Sequence, residues 1–296
     1  MLTLPHTSLS LKTAKPWPIA AMVRGRSRED MAELLPRLFN LCRTAQSLAV
    51  RLALDLPAVD DVEDLRREMI RDHVLRLSTL LPQRLGLSPS DLPVHWQSDR
   101  KLLRQKLFGP SGALPTHPSD FKTYLSSGTG VASLWLKLSE LIKATEAVSD
   151  RLPFVSDQTA LDPKARVENS CAMRVADHPV VASLDREGRG PLWRLVARCY
   201  DLEALLTDAP LHARRLGQGV AQAPATRGLY TLKALHDGQQ VTELLRVTPT
   251  DHLQAAGGVL EQTLSTLPVT KAGLAPLIID ILDPCSPITV EGGSDA

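Results

Sequence analysis

The chain has 296 residues, with 34 basic and 33 acidic side chains and a net charge of +1. It is long enough for a large buried core, and its near-neutral charge disfavours binding to nucleic acid or to an anionic membrane. The first 20 residues contain no apolar stretch of signal-peptide length. We therefore expect a cytoplasmic protein without a membrane segment and with 4 free cysteines. The low aromatic content of 4% and the many Leu and Ala residues favour a helical body.

A strand and a long helix are predicted at the start of the chain. Residues 8–13 alternate in polarity and are compatible with one strand. Ser27 is followed by acidic residues, as at a helix N-terminus, and apolar residues then recur at helical spacing over 27–52. Pro36 is expected to kink or restart this helix. Cys42 then lies on its buried face.

The middle of the chain predicts helices joined by loops. An amphipathic helix is expected over 62–81, and the basic segment 100–106 is either a solvated helix face or a docking patch. Pro191 is typical of a helix start, and the apolar stripe that follows includes Cys199 as a core thiol. Cys171 has polar neighbours, and the sequence leaves its reactivity open.

A β-hairpin is the clearest local prediction. Segments 228–235 and 240–247 are strand-like, and the Asp-Gly pair between them favours a tight turn. Antiparallel pairing about that turn places Arg227 beside Thr248 and close to Thr250. A guanidinium and a hydroxyl are thus expected at the open end of one hairpin.

The last cysteine follows a predicted helix. One helix is expected over 253–264, and another over 271–281 is ended by the Asp-Pro pair at 283–284. Cys285 comes directly after that end. This position holds the residue on a rigid element and leaves it free to face a cleft.

Each of these residues also has a plain alternative reading. Cys42 alone is most simply a core residue. Arg227 could be a surface arginine that flanks a strand, and Thr250 could cap a helix. Cys285 could be a nucleophile, but neither His236 nor His252 stands at a recognisable dyad spacing.

Several short motifs, taken in order, resemble the landmarks of nickel-iron hydrogenase large subunits. They are Gly-Arg at 25–26, Arg-Leu-Phe-Asn-Leu-Cys-Arg-Thr-Ala-Gln at 37–46, Thr-Arg-Gly at 226–228, Thr-Pro-Thr at 248–250 and Asp-Pro-Cys at 283–285. Those enzymes carry Arg-x-Cys-Gly-x-Cys-x-x-x-His early and Asp-Pro-Cys-x-x-Cys-x-x-His late. Their cysteines hold nickel and an iron that bears cyanide and carbon monoxide.

Half of the metal ligands of that family are replaced here. In the early motif the cysteines fall on Phe39 and Cys42, and the histidine falls on Gln46. In the late motif the cysteines fall on Cys285 and Ile288, and the histidine falls on a glutamate at 291. Nickel in such a site needs a full set of soft thiolate donors. We therefore expect no nickel and no hydrogenase activity, and a non-catalytic protein.

The pattern resembles the HupK-type (HoxV-like) hydrogenase maturation proteins. The resemblance implies an accessory scaffold or chaperone in metalloprotein assembly, which transiently binds an iron-cyanide-carbonyl unit and acts with the maturation complex proteins and the apo-large subunit. Cys42 and Cys285 would bind the iron, while Arg227 and Thr250 would contact its cyanides. The alternative is an adaptor that keeps the large-subunit surface without binding the unit.

The same resemblance implies a fold. We expect a mainly α (α+β) protein, with a large-subunit-like helical body and a small antiparallel hairpin or sheet. Residues 1–296 would form one domain, with an N-terminal cysteine-bearing part at 25–60 and a C-terminal part at 220–291. Boundaries within 110–190 are left open.

Overall fold

The computed structural model describes residues 2–3, 9–13, 17–39 and 41–291. The body is helical, as expected, with a π-helical turn at Arg76–Leu80 and 3-10 turns at Cys171–Arg174 and Val269–Leu274. The α-helices in chain order are α1 (Ile19–Val23), α2 (Arg28–Leu38), α3 (Arg43–Ala53), α4 (Val62–Leu75), α5 (Leu81–Arg84), α6 (Arg100–Phe108), α7 (Pro118–Ser127), α8 (Ala132–Leu141), α9 (Pro179–Glu187), α10 (Pro191–Leu206), α11 (Pro249–Leu253), α12 (Val259–Ser265) and α13 (Ala275–Leu282).

The helix predicted over 27–52 is divided into α2 and α3. Its start is confirmed, because the Ser27 hydroxyl accepts a hydrogen bond from the Asp30 N–H at 3.0 Å. The alternative that Pro36 restarts the helix is wrong, since this proline lies inside α2. The kink expected there stays a prediction. The chain breaks later, where Cys42 has a left-handed backbone with φ of 54° that a helix cannot include. Cys42 therefore precedes α3 and is not part of a continuous helix.

Helix α10 is the axis of the helical body. Pro191 occupies its first turn, as predicted, and the side chains along most of its length are buried. It contacts α4, α6, α8, α9 and α13. Cys199 on this helix is 0% exposed, which confirms its assignment to the core.

The strands form two antiparallel sheets. One has the order β1 (Leu2–Thr3), β2 (Ser10–Thr13) and β7 (Ile288–Glu291), so it joins the two ends of the described chain. The strand expected at 8–13 is present as β2, although Ser8 lies outside the described residues. The other sheet has the order β3 (Arg214–Gly217), β4 (Val220–Ala225), β5 (Gly228–His236) and β6 (Val241–Val247).

The predicted hairpin is β5 and β6, but its register differs from the expectation. Thr231 is paired with Val247, and a bulge interrupts the ladder near the turn. Continuing this register places Tyr230 opposite Thr248, so the expected pairing of Arg227 with Thr248 is wrong. The pairing of His236 with Val241 next to the turn is already shifted by two residues from symmetrical pairing about the Asp-Gly pair, and the bulge between Leu235 and His236 adds a third.

The C-terminal helices are shorter than predicted. The segment 253–264 is not one helix, because Gly257 has a φ of 65° and separates α11 from α12. Helix α13 ends at Asp283 as predicted, and this residue also has a left-handed backbone, with a φ of 57°. Cys285 thus follows a sharp turn at the end of a buried helix.

One hydrophobic cluster runs through most of the body. It includes Leu11 near the start of the chain and Ile281 near its end, so the two ends share a core. Within the described ranges, no helix combines the length and apolar character needed to cross a membrane. The domain limits inferred from the sequence stay a prediction.

Candidate functional site

A cavity of about 530 Å³ lies where the break before α3, the hairpin and the segment after α13 meet. All four site residues predicted from the sequence line it: Cys42, Arg227, Thr250 and Cys285. The other lining residues are Trp17, Leu38, Phe39, Leu41, Gln46, Ala225, Tyr230, Arg246, Thr248, Pro249, Asp251, Gln254, Ser286 and Pro287. The fold therefore brings the two halves of the sequence pattern together.

Cys42 is held in an unusual backbone conformation. It occupies the N-cap position of α3, and its carbonyl accepts a hydrogen bond from the Gln46 N–H at 3.0 Å. Its side chain is buried, and burial raises the pKa of the thiol to about 12, although the nearby Arg227 guanidinium opposes this shift. The Cys42 thiol is thus protonated and neutral at neutral pH.

Arg227 connects the early cysteine to the late motif. Its Nη1 lies 3.5 Å from Cys42 Sγ, with geometry that lets the guanidinium donate a hydrogen bond to the sulfur. Its Nε donates to the Asp283 carbonyl at 3.1 Å and to Asp283 Oδ1 at 3.0 Å. Arg227 is only 8% exposed, so its interpretation as a surface arginine is wrong.

Asp283 has a larger role than the sequence indicated. Its carboxylate forms ion pairs with Arg76, Arg198 and Arg227. Arg198 also donates to His73 Nδ1 at 3.2 Å, and His73 is hydrogen-bonded to the buried Asp201. In the sequence Asp283 marks only the end of a helix and the first residue of the late motif, because its contacts with the three arginines arise from the fold. The late motif is thus fixed in the core by a network of charged side chains.

Thr250 and Cys285 are connected directly. The Cys285 N–H donates to Thr250 Oγ1 at 2.8 Å, which leaves the hydroxyl hydrogen of Thr250 able to donate elsewhere. Thr250 is not a helix cap: Thr248 caps α11 through a capping box with Asp251. The capping interpretation of Thr250 is therefore wrong. The Cys285 side chain is partly exposed, unlike that of Cys42.

The other thiols and the histidines lie elsewhere. Cys171 is 4% exposed, and burial raises the pKa of its thiol to about 11, so it behaves as a core residue. His252 is hydrogen-bonded to Asn169 and to the Asp162 carbonyl, and His236 lies close to Asp55. Neither histidine is among the lining residues of the cavity. This arrangement gives no support to a cysteine–histidine dyad.

Three polar atoms around the cavity have no hydrogen-bond partner within the described part of the chain. They are Gln46 Oε1, the Tyr230 hydroxyl and Gln254 Nε2. The Gln46 amide is oriented by its own Nε2, which donates to the Leu41 carbonyl at 2.9 Å. Buried polar groups are nearly always paired in native proteins, so these three residues are candidates for contacts with a bound ligand.

Phe39 takes the place of a metal ligand in the early motif. It lines the cavity, and the guanidinium carbon of Arg246 lies 4.1 Å from its ring centroid. Among the described residues, no group of three or more His, Cys, Asp and Glu side chains could hold a metal ion. The cavity thus combines two sulfurs with a set of hydrogen-bond donors.

Known proteins resemble this chain in sequence and in fold. No protein-family model matches the chain. It is 46% identical over 285 residues to the hydrogenase expression/formation protein HupK of Rhodobacter capsulatus, an alignment that covers 96% of the chain and 93% of that protein.

Solved structures with a similar fold include the Ni-Fe-Se hydrogenase of Desulfovibrio vulgaris Hildenborough in its reduced state. The TM-score is 0.54 with 13% identity, and the match covers 92% of each chain. Another is the membrane-bound sulfane sulfur reductase, an archaeal respiratory membrane complex, with a TM-score of 0.50, 14% identity and coverage of 90% of this chain and 86% of that chain. At such identities the likeness concerns the fold, and it confirms the expected large-subunit-like helical body.

Proposed function

The chain belongs to the family of the hydrogenase expression/formation protein HupK, and from this premise we propose that it acts in the maturation of a nickel-iron hydrogenase. In this role it is a non-catalytic scaffold that transiently binds the iron-cyanide-carbonyl unit as its cargo. Cys42 and Cys285 provide the sulfur ligands. The unit then passes to the apo-large subunit, with the maturation complex proteins as further partners.

One observation carries this proposal: residues 42 and 285 line the same cavity although they are distant in sequence. Thiolates are the soft ligands that iron of this kind accepts, and a thiol must lose its proton to bind a metal. The Arg227 guanidinium, 3.5 Å from Cys42 Sγ, stabilises the thiolate that forms. Binding of the unit therefore replaces the proton of a buried neutral thiol by a metal.

The surroundings also suit cyanide. A cyanide on iron exposes a nitrogen that accepts hydrogen bonds, and charged donors bind such acceptors most strongly. Arg227 offers a buried guanidinium, and Thr250 has a hydroxyl hydrogen that its contact with Cys285 does not use. A cargo that brings its own cyanide and carbonyl ligands needs few donors from the protein, which fits a site of two cysteines.

Infrared spectroscopy of the full chain tests the proposal. The protein is co-expressed with the hydrogenase maturation proteins and purified without oxygen, and metal-bound cyanide and carbonyl bands are recorded in a region where protein does not absorb. We expect bands in the wild type and their loss in Cys42→Ser and in Cys285→Ser. Cys199→Ser is the matched control, because Cys199 is a free thiol outside the cavity.

The contrary result is equally clear. If the wild type copurifies with maturation proteins but shows no cyanide or carbonyl bands, the scaffold proposal fails. The protein would then act as an adaptor, in which Cys42 only packs and Cys285 is a loop thiol.

A further inference from the structure

The cavity combines sulfur atoms with hydrogen-bond donors. Its sulfur atoms come from residues 42 and 285, close to the two ends of the described chain. Four of its donors come from the hairpin and α11: Arg227 directly precedes β5, Tyr230 lies within β5, and Thr250 and Gln254 lie on α11 and at its C-cap. A ligand held by the two sulfurs would thus share one cavity with these donors.

Tyr230 differs from the other tyrosines of the chain. Tyr124 donates a hydrogen bond to the Phe108 carbonyl at 3.2 Å, and Tyr200 donates to the Pro115 carbonyl at 2.6 Å. Tyr230 is 3% exposed, and within the described ranges its hydroxyl has no partner. A buried hydroxyl in this state costs stability, so its position calls for an explanation.

Tyr230 lines the same cavity as Cys42 and Cys285. Burial raises the pKa of its hydroxyl, so the phenol keeps its proton at neutral pH. A ligand held by the two sulfurs would therefore share the cavity with this phenol. Its O–H donates no hydrogen bond within the described part of the chain.

The balance of donors and acceptors indicates what kind of ligand fits. Arg227, Tyr230, Thr250 and Gln254 can each donate, and Gln46 Oε1 is the one acceptor among the fully buried, unpaired atoms of the described cavity residues. The Asp251 carboxylate also lines the cavity, and one of its oxygens accepts from the N–H and the hydroxyl of Thr248. A set of this composition favours a ligand rich in hydrogen-bond acceptors and poor in donors. Nitrogen atoms at the ends of small linear anions are acceptors of this class.

We infer that Tyr230 and Gln254 are two further binding residues of this cavity, which donate hydrogen bonds to the acceptor end of the ligand that Cys42 and Cys285 hold. The inference rests on the proposed function, because the cyanide nitrogens of the cargo are the acceptors it names. Tyr230 and Gln254 then position the unit within the cavity, and neither residue belongs to the motifs found in the sequence.

The first test is the infrared spectrum of loaded protein that carries Tyr230→Phe or Gln254→Leu. We expect the cyanide bands to shift in each variant while the carbonyl band moves less, because hydrogen bonds act on the cyanide nitrogen. Tyr200→Phe, which removes a buried hydroxyl far from the cavity, should leave all bands in place. Spectra of Tyr230→Phe and Gln254→Leu that superimpose on the wild type would overturn the inference and leave the proposed function intact.

The second test needs no iron. Thiocyanate presents a linear anion with a nitrogen acceptor, and its C≡N stretch reports binding to the purified full chain. We expect a saturable bound band in the wild type and about tenfold weaker binding in Tyr230→Phe, the effect of one lost hydrogen bond. If the wild type shows no saturable binding, or if the variant binds equally well, the inference is wrong.

Thermal unfolding distinguishes a binding role from a structural one. Removal of an unpaired hydroxyl should keep or raise the melting temperature of metal-free Tyr230→Phe, whereas Tyr200→Phe should lower it. A Tyr230→Phe protein that is clearly less stable than the wild type would show that the hydroxyl has a structural partner and contradict the inference. Thiocyanate binding through Tyr230 in a protein that never shows cofactor bands would contradict only the proposed function.

Discussion

Arg227 Nε donates hydrogen bonds to the Asp283 carbonyl at 3.1 Å and to the Asp283 carboxylate at 3.0 Å, while Arg227 Nη1 contacts the sulfur of Cys42. One side chain from the hairpin thus connects the two halves of the site. Cys42 and Asp283 are both left-handed residues without being glycine, with φ of 54° and 57°. Such strained positions persist where surrounding contacts over-determine them, and they often mark functional sites.

We expect Asp283→Asn to destabilise the protein strongly. The substitution keeps the size of the side chain but removes the charge that faces Arg76, Arg198 and Arg227 in the core. Loss of one partner of a buried ion pair typically costs about 3–5 kcal/mol, because the remaining charge is left uncompensated. Urea unfolding measures the change.

The control for that substitution is Asp280→Asn. Asp280 is paired with Arg84, whose side chain is 55% exposed, so this variant should lose much less stability. Equal losses in the two variants would show that the charge network around Asp283 contributes little to the fold.

Arg227→Lys should weaken retention of the cargo without abolishing folding. Lysine keeps the positive charge, but it lacks the planar fork that reaches Asp283 and Cys42 together. We expect infrared bands of lower intensity relative to protein, with cyanide bands shifted, and circular dichroism like that of the wild type. Bands of full intensity at unchanged positions would mean that Arg227 does not contact the cargo.

The cysteines should react with iodoacetamide at very different rates. Cys285 is partly exposed, whereas Cys42, Cys171 and Cys199 are buried. Because burial raises the pKa of the Cys42 thiol to about 12, little reactive thiolate is present there at neutral pH. Mass spectrometry of the metal-free protein should find Cys285 labelled first. Labelling of Cys42 at the same rate would contradict the buried geometry.

The stability of the protein should fall at alkaline pH partly because of Cys42. The pKa of its thiol is about 12 in the folded protein, against an ordinary value of 9.0, so above pH 9 the unfolded chain releases a proton that the native state keeps. The contribution is therefore complete below pH 9 and is lost above it, by about 1.4 kcal/mol per pH unit.

A comparison of wild type and Cys42→Ser isolates this effect. Urea unfolding as the pH rises above 9 should show a shallower decline in the variant, because serine does not titrate there. Cys171 has a raised pKa as well and contributes to both proteins equally. Parallel declines would mean that Cys42 titrates normally in the folded protein.

Glycine should be tolerated better than alanine at position 42. A residue with a side chain costs about 1–2 kcal/mol in the left-handed region, and glycine avoids this cost. We expect Cys42→Gly to be about 1 kcal/mol more stable than Cys42→Ala in chemical unfolding, with neither variant binding the cargo. A less stable glycine variant would show that the backbone at this position is unstrained.

Local features of the fold were largely predictable from the sequence. The start of α2 at Ser27, the start of α10 at Pro191, the β5–β6 hairpin and the end of α13 follow from capping residues, turn residues and hydrophobic spacing. The break before α3 was not predictable, because apolar spacing continues across it and nothing in the sequence marks Cys42 as left-handed. The hairpin register was missed because pairing at the turn begins two residues away from the symmetrical position and one bulge displaces it by a third residue.

Only four residues of the site were predicted from the sequence. Motif order identified Cys42, Arg227, Thr250 and Cys285, which line one cavity. The placement of Tyr230 and Gln254 in the cavity wall was not predicted, because it depends on how the hairpin and α11 pack against the rest of the chain. Such tertiary relationships leave no spacing or composition signal in a single sequence.

Cys285 lies between two anchors. On one side the Asp283 carboxylate is held by arginines, and on the other β7 is paired with β2 from Thr13 and Ile288 onward. A short segment held at both ends cannot move its sulfur outward unless the contacts at one end break. Detaching the terminal strand demands only a few backbone hydrogen bonds, whereas the ionic anchor is deep in the core. Separation of β7 from β2 is therefore the less costly way to free the Cys285 side chain. The residence time of the proposed cargo should then increase with the stability of the β2–β7 pairing.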